Sequence, residues 1–209
     1  MKIAIIDYQL SNLFSIKHAL DYLQVDSQIT SDKSDIADSD AAILPGVGAF
    51  GDAMKNLQNL ELISVIKEFT SSGRPFMGVC LGMQLLFSQS EEFGNHKGLD
   101  LIKGQVRKFS SKGKRIKVPQ IGWNQILQKD KQLWDNSPFK NTLPGEFMYF
   151  VHSFYVTAGE TNAILSETIY EDIRYCSAIL SNNIFATQFH PEKSGAEGIK
   201  IYKNWLSLK

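Results

Sequence analysis

The sequence predicts an α/β protein, one domain over residues 1–209 in which helices flank a central mixed, largely parallel sheet. Three observations predict it. The first half alternates short apolar runs with stretches of helical period, the pattern of parallel strands joined by crossover helices. The second half is strand-rich and closes on one more helix. No Pro/Gly/Ser-rich linker and no internal repeat divides the chain, and its 209 residues suit a single large domain.

Element by element, KIAIID (residues 2–7) is an apolar run ending on a polar residue, as a buried parallel strand does. SNLFSIKHALDYL follows, with Leu13, Ile16, Leu20 and Leu23 at helical spacing and Ser11 or Asn12 available as N-cap. AAILPG (41–46) is a second strand, ended by Pro45, and a short helix follows its glycines. ELISVIKEFTSSGRP (61–75) carries Leu62, Ile63, Ile66 and Phe69 on one helical face, and Gly73 and Pro75 stop it. FMGV (76–79) reads as a strand and LGMQLLFS (81–88) as a helix. Further on, QVRKF, EFMYFVHSFYV, CSAIL and IFATQFH are β-like, with Asn182-Asn183 suited to a tight hairpin turn. Ile199, Tyr202, Trp205 and Leu206 restore helical spacing over residues 196–208.

Composition excludes several classes of function. Lys+Arg and Asp+Glu balance at 22 each, so no surplus charge steers the chain to nucleic acid or an anionic membrane. No stretch approaches the roughly 20 apolar residues of a membrane span, and Asp7 cuts short the N-terminal apolar run before it could act as a signal peptide. Two cysteines form neither a disulfide framework nor a metal-ligand spacing, so a reduced, cytoplasmic setting is expected.

One cysteine stands in special company. Gly78-Val79-Cys80-Leu81-Gly82 has the G-x-nucleophile-x-G form of a strand–turn–helix elbow. A sharp turn of this kind needs small residues two positions either side, and it lifts the thiol to the sheet's carboxyl edge. There the following helix's N-terminus favours a thiolate and offers backbone N–H groups to an oxyanion. At a glycine frequency near 7%, two such flanks arise by chance about 1% of the time for two cysteines. Cys176, in IRYCSAIL, lacks them and reads as a strand residue. A cysteine nucleophile needs a base, and the base an orienting group. His18 reads as a helix-surface or packed histidine and His96 as a solvated loop residue, while His152 at the end of an apolar strand could be either core or site. His190 ends a strand in ATQFHPEKS, with Pro191 stopping the ladder and Glu192 close enough to hold the second imidazole nitrogen. By itself H-P-E is a loop signal; beside the elbow it supplies the acid/base candidate. Pro45-Gly46-Val47-Gly48 follows a strand, and its glycines allow a peptide N–H to be re-aimed. It fits no phosphate-binding pattern.

With PGVGAFGDAM, GVCLGMQLLF, VPQIGWN, YFVHSFY and FHPEKS in this order, the chain resembles the class I (triad) glutamine amidotransferases. Within them it is most similar to the glutaminase subunits of imidazole glycerol phosphate synthase; Met83 stands where the anthranilate and carbamoyl-phosphate branches typically carry His. The resemblance implies the three-layer fold of that family, hydrolysis of glutamine by a triad of Cys80, His190 and Glu192, and no metal or cofactor. It implies oxyanion donors at Leu81 and Val47, the latter closed at rest and turned over on activation. It places Gln84, Glu92 and the backbones of Gly48, Ser153 and Phe154 around the substrate's amino-acid end. It further implies a heterodimer with a (β/α)8-barrel cyclase that receives ammonia, with Asn12, Trp123, Tyr149 and Lys193 at interface or gate positions.

One departure stands out. Where the family usually reads D-Y-G-x-G-N-L, this chain has Asp7-Tyr8-Gln9-Leu10-Ser11-Asn12-Leu13, and any left-handed backbone there would be strained. Two other readings stay open: a paralogous subunit supplying ammonia for amidination of a nucleotide-activated sugar, and a stand-alone cysteine hydrolase of related fold.

Overall fold

The computed structural model of the chain describes residues 1–10, 12–110, 116–159 and 161–208. The first half runs β1 (Lys2–Ile6), α1 (Leu13–Tyr22), β2 (Asp26–Thr30), α2 (Lys33–Ala37), β3 (Ala41–Leu44), α3 (Phe50–Asn59), α4 (Leu62–Ser71), β4 (Phe76–Val79) and α5 (Leu81–Leu85). The second half contains β5 (Phe87–Ser90), β6 (His96–Lys97), β7 (Ile102–Lys108), β8 (Gln120–Gln125), β9 (Leu127–Gln128), α6 (Lys131–Asp135), β10 (Phe147–His152) and β11 (Phe154–Ala158). It ends with β12 (Ile164–Tyr170), β13 (Ile173–Ser181), β14 (Ile184–Thr187) and α7 (Gly195–Trp205).

Strands β2-β1-β3-β4-β14 are neighbours in that order and all run parallel. The sheet continues through β13, β11 and β7 with antiparallel pairing, and β5 rejoins β7 in parallel. This is the mixed sheet the sequence predicts. Its fully apolar strands β3 and β4 are buried on both faces, as continuous apolar runs require. One face packs on α2, α3 and α4 through Ile36, Leu57, Leu62 and Phe69, the other on α1 and α7 through Ile16, Leu20, Tyr202 and Trp205. Helices therefore cover the sheet in two outer layers. No helix among the described residues is long and apolar enough to cross a membrane.

Local expectations fail where tertiary pairing overrides local pattern. The segment LGMQLLFS stays helical only to Leu85; Phe87 onwards pairs with β7 as a strand, because its buried register on that sheet outweighs helical spacing. DSQIT, too polar to announce itself, is a sheet-edge strand that buries only Ser27 and Thr30. EFMYFVHSFYV is two strands in two sheets: β10 pairs with β8 in a separate ribbon, Ser153 breaks the run, and β11 joins the main sheet. Asn12 occupies the N-cap of α1 without capping it, its Oδ1 accepting from Ser15 Oγ instead (3.2 Å); Ser11 lies outside the described residues. The Asn182-Asn183 turn closes the β13–β14 hairpin, with Asn182 at φ +52°.

Candidate active site

Three adjacent parallel strands deliver the site. β3, β4 and β14 end side by side, and the chain beyond each supplies Pro45–Gly48, Cys80 and Gln188–Glu192 respectively. Parallel strands end together, so their carboxyl-edge loops meet without any long excursion.

Cys80 sits at φ +55°, ψ −111°, outside the regions an L-residue prefers, with strain on the order of 1–3 kcal/mol. Its N–H donates to the Thr187 carbonyl (2.8 Å), pinning the elbow to the neighbouring strand. The two flanking glycines are not equivalent. A Cβ on Gly82 would lie 1.8 Å from the Leu44 carbonyl oxygen, a backbone atom that cannot yield, whereas one on Gly78 would come no closer than 3.0 Å to the Leu86 Cδ1 methyl and 3.1 Å to the Ala186 Cβ and the Gly82 carbonyl oxygen. Cys176, by contrast, is buried in β13 with its thiol pushed up by burial, a core residue.

His190 follows β14, and its Nδ1–H donates to Glu192 Oε1 at 2.7 Å, both side chains being buried. The Tyr202 hydroxyl donates to the other Glu192 oxygen at 3.5 Å. Pro191 opens a short 3-10 turn, Pro191–Lys193, that carries Glu192 back under the imidazole, and Ser194 Oγ locks the turn on the His190 carbonyl (2.6 Å). With Nδ1 committed, Nε2 is buried without a hydrogen-bond partner and is the nitrogen left for Cys80. Burial alone would pull this imidazole down; the charge of Cys80 and then the Glu192 carboxylate outweigh it and hold His190 at about 10.

Behind the thiol lies a chain of two buried amides: Gln84, expected beside the substrate, and Gln188, which sequence reasoning missed. Gln84 Nε2 donates to the Phe154 carbonyl (3.0 Å) and to Gln188 Oε1 (3.0 Å), and Gln188 Nε2 in turn points at Cys80 Sγ (3.8 Å). A carbonyl can only accept, so the Phe154 oxygen fixes the orientation of both amides and presents an N–H to the sulfur. The signal available was a polar residue inside the otherwise apolar IFATQF. His152 is a second: its Nδ1–H donates to the same Phe154 carbonyl (2.7 Å), and burial pulls it down to about 4, so it is neutral.

These groups enclose a cavity of about 290 Å³. Cys80, His190, Leu81, Val47, Gly48, Gln84, Glu92, Ser153 and Phe154 all line it, while Glu192 stands behind His190. Glu92 is buried, not solvated: its Oε2 accepts the Phe50 N–H at 2.7 Å and so caps α3 from 42 residues away. Burial raises its carboxyl, against that hydrogen bond and the nearby His96. His96 is likewise not a free loop residue, since its ring packs against Gly51 and leaves no room for a Cβ there. His18 is exposed on α1.

The expected oxyanion donor at Val47 is turned away. Its N–H donates to the Leu10 carbonyl (3.0 Å), in a loop where Gln9 does take the left-handed conformation, at φ +70°, with its N–H on Asp7 Oδ1 (2.8 Å). Leu81 is the first residue of α5, where a backbone N–H has no intrahelical partner.

Trp123 and Tyr149 pair across the β8–β10 ribbon, ring centroids 6.1 Å apart, and Trp123 is 56% exposed. With Ile121 and Phe147 they make an exposed apolar strip. The ribbon abuts the site, because the His190 N–H donates to the Tyr149 carbonyl (2.9 Å). Lys193 is exposed on the turn after His190, and Asn12 lines a small void shared with Val47, His190 and Glu192. Among the described residues, no group of three or more His, Cys, Asp or Glu side chains is placed to hold a metal.

Comparison with known proteins shows the family and the fold. Residues 4–207 match the family model described as glutamine amidotransferase class-I. The chain is 40% identical over 210 residues to imidazole glycerol phosphate synthase subunit HisH 1 of Legionella pneumophila (strain Paris), covering 99% of each. It is 42% identical over 205 residues to the HisH subunit of Chlorobium chlorochromatii, covering 98% of each. Among solved structures, it is similar in fold to PurLQS from Thermotoga maritima, with a TM-score of 0.73 at 21% identity, covering 99% of this chain and 97% of that one. It is also similar to the glutaminase domain of Trypanosoma brucei CTPS with bound acivicin, with a TM-score of 0.62 at 16% identity, covering 100% and 95%.

Proposed function

Because the chain belongs to the class-I glutamine amidotransferases, we propose that it is the glutaminase subunit of an imidazole glycerol phosphate synthase, with Cys80, His190 and Glu192 as its triad. The observation that carries the reading is the strained Cys80 elbow at the floor of the cavity, facing an imidazole whose far nitrogen is bound to a buried carboxylate. Relatives named as HisH subunits, 40% and 42% identical over nearly full length, favour the histidine pathway over the sugar-modifying and stand-alone alternatives.

In this reading glutamine enters with its carboxamide over Cys80 and its amino-acid end among Gln84, Glu92 and the Gly48, Ser153 and Phe154 backbones. The Cys80 thiolate adds to the carboxamide carbon, and the oxyanion is received by the Leu81 N–H and by the Val47 N–H once that peptide has turned over. Collapse breaks the C–N bond while His190 delivers its proton to the departing nitrogen, leaving a thioester and free ammonia. Neutral His190 then takes a proton from water as the oxygen adds; the second collapse expels the thiolate and releases glutamate. Glu192 orients the imidazole and stabilises its charged form. While the Val47 N–H stays on Leu10, the oxyanion site has lost one donor, an effect worth roughly 10²–10³ in rate. Glutamine is thereby spared when no acceptor waits.

Ammonia passes to a (β/α)8 cyclase subunit docked over the apolar strip of Trp123 and Tyr149, with Asn12 and Lys193 at the rim. Cys80→Ala tests the scheme: glutamine-dependent synthesis in the complex is lost while ammonia-dependent synthesis persists. Survival of the glutamine-dependent reaction would sink the nucleophile assignment.

A further inference from the structure

Tyr8 presents an unexplained group. It follows β1, is fully buried, and its hydroxyl has no hydrogen-bond partner. The other fully enclosed tyrosine hydroxyls are served: Tyr175 donates to Gln120 (3.0 Å) and Tyr202 to Glu192 (3.5 Å). An unpaired buried hydroxyl forfeits its hydration without replacement and calls for a reason. The residue is not loosely held, since Asn56 Nδ2 donates to its carbonyl (3.0 Å). Its hydroxyl oxygen stands 2.1 Å from where a Cβ on Gly46 would lie, so it occupies the side-chain space of the residue just before Val47.

The Gly46–Val47 peptide is the one whose N–H rests on the Leu10 carbonyl. A peptide's C=O and N–H point in opposite directions. If the N–H turns into the cavity, the Gly46 carbonyl must turn towards the side the N–H has left. There it meets the Leu10 carbonyl, an acceptor facing an acceptor, unless a donor stands by. We propose that the Tyr8 hydroxyl is that donor: it receives the Gly46 carbonyl when the peptide turns over, making Tyr8 a positioning residue for the active oxyanion site. The inference rests on the glutaminase reading above. One short segment, Tyr8 to Leu10, thus supplies the acceptor for the resting peptide and the donor for the turned one. Burial, with the charges of Cys80 and Asp7, pushes the phenol's titration far upward, so it remains a donor throughout the neutral range.

Tyr8→Phe removes the hydroxyl and keeps the ring. Glutamate release is measured with and without the cyclase subunit plus imidazole glycerol phosphate, together with the thermal midpoint. The expected result is a stimulation factor reduced about fivefold, one ordinary hydrogen bond, with KM for glutamine within twofold of wild type and no loss of thermal stability. An undiminished stimulation factor overturns the proposal, and so does a lowered midpoint with stimulation intact, which would make the hydroxyl merely structural. If the wild-type chain itself shows no stimulation, the glutaminase-subunit reading fails first, and the role of Tyr8 falls with it.

Discussion

The Val47 N–H donates to the Leu10 carbonyl across 3.0 Å, and that single bond holds one expected oxyanion donor out of the cavity that Cys80 faces. Two loops far apart in sequence are joined there, one after β1 and one after β3. In the proposed function, this bond is what keeps the oxyanion site at rest.

Val47→Pro separates two roles of that N–H, because proline deletes the donor altogether. If the donor serves the oxyanion, the partner-stimulated rate falls by roughly 10²–10³. A variant that instead became active without its partner would show the bond to be a latch and nothing more. Glutamate release with and without the cyclase subunit decides it.

The elbow glycines should differ in tolerance. Gly82→Ala drives a Cβ to 1.8 Å from the Leu44 carbonyl oxygen, and we expect a loss above about 4 kcal/mol or failure to fold. Gly78→Ala meets a movable Leu86 methyl at 3.0 Å and should cost about 1–3 kcal/mol. Urea unfolding of both variants is the check; equal losses would refute the steric account.

Gln188→Met keeps the volume but takes away the amide that faces Cys80 Sγ and accepts from Gln84. A hydrogen bond to a charged group is worth about 1.5–3 kcal/mol, so kcat should fall on the order of 10- to 100-fold. The rate of Cys80 alkylation by iodoacetamide at fixed pH should fall with it. An unchanged alkylation rate would mean that the amide does nothing for the thiolate.

His190 should keep its proton far above the usual imidazole range, to about pH 10. Its folded value lies above the unfolded one, near 6.5. Its proton therefore contributes stability that is complete below about pH 6.5 and is lost as pH rises from there towards 10. Nitrogen NMR of labelled histidine follows the titration directly. In Cys80→Ala the main charge raising it is gone, so its titration should move down. An unmoved titration would show that Glu192 alone holds the proton.

Much of this site is legible in the linear chain because its signals are local. The two glycines around Cys80, the Pro191 turn that returns Glu192 to His190, and the apolar runs of β3 and β4 each act over a few residues. Strand–helix alternation then brings the strand ends together at one edge of the sheet. The misread elements were those whose conformation depends on distant partners. Phe87 to Ser90 became a strand because β7 was there to pair with, and Ser153 divides one β-like run between two sheets.

Residue types and their short spacings by themselves pointed to Cys80, His190 and Glu192 as the candidate nucleophile, base and orienting carboxylate, and to a largely parallel sheet. Only the tertiary structure decided that Val47 is held by Leu10, that Glu92 caps α3 from 42 residues away, and that Gln188 reaches Cys80 across 108. The physical reason is the reach of each interaction. Backbone sterics and turns are written in neighbouring residues, whereas a hydrogen bond between loops exists only once the core has packed and fixed where each loop stands.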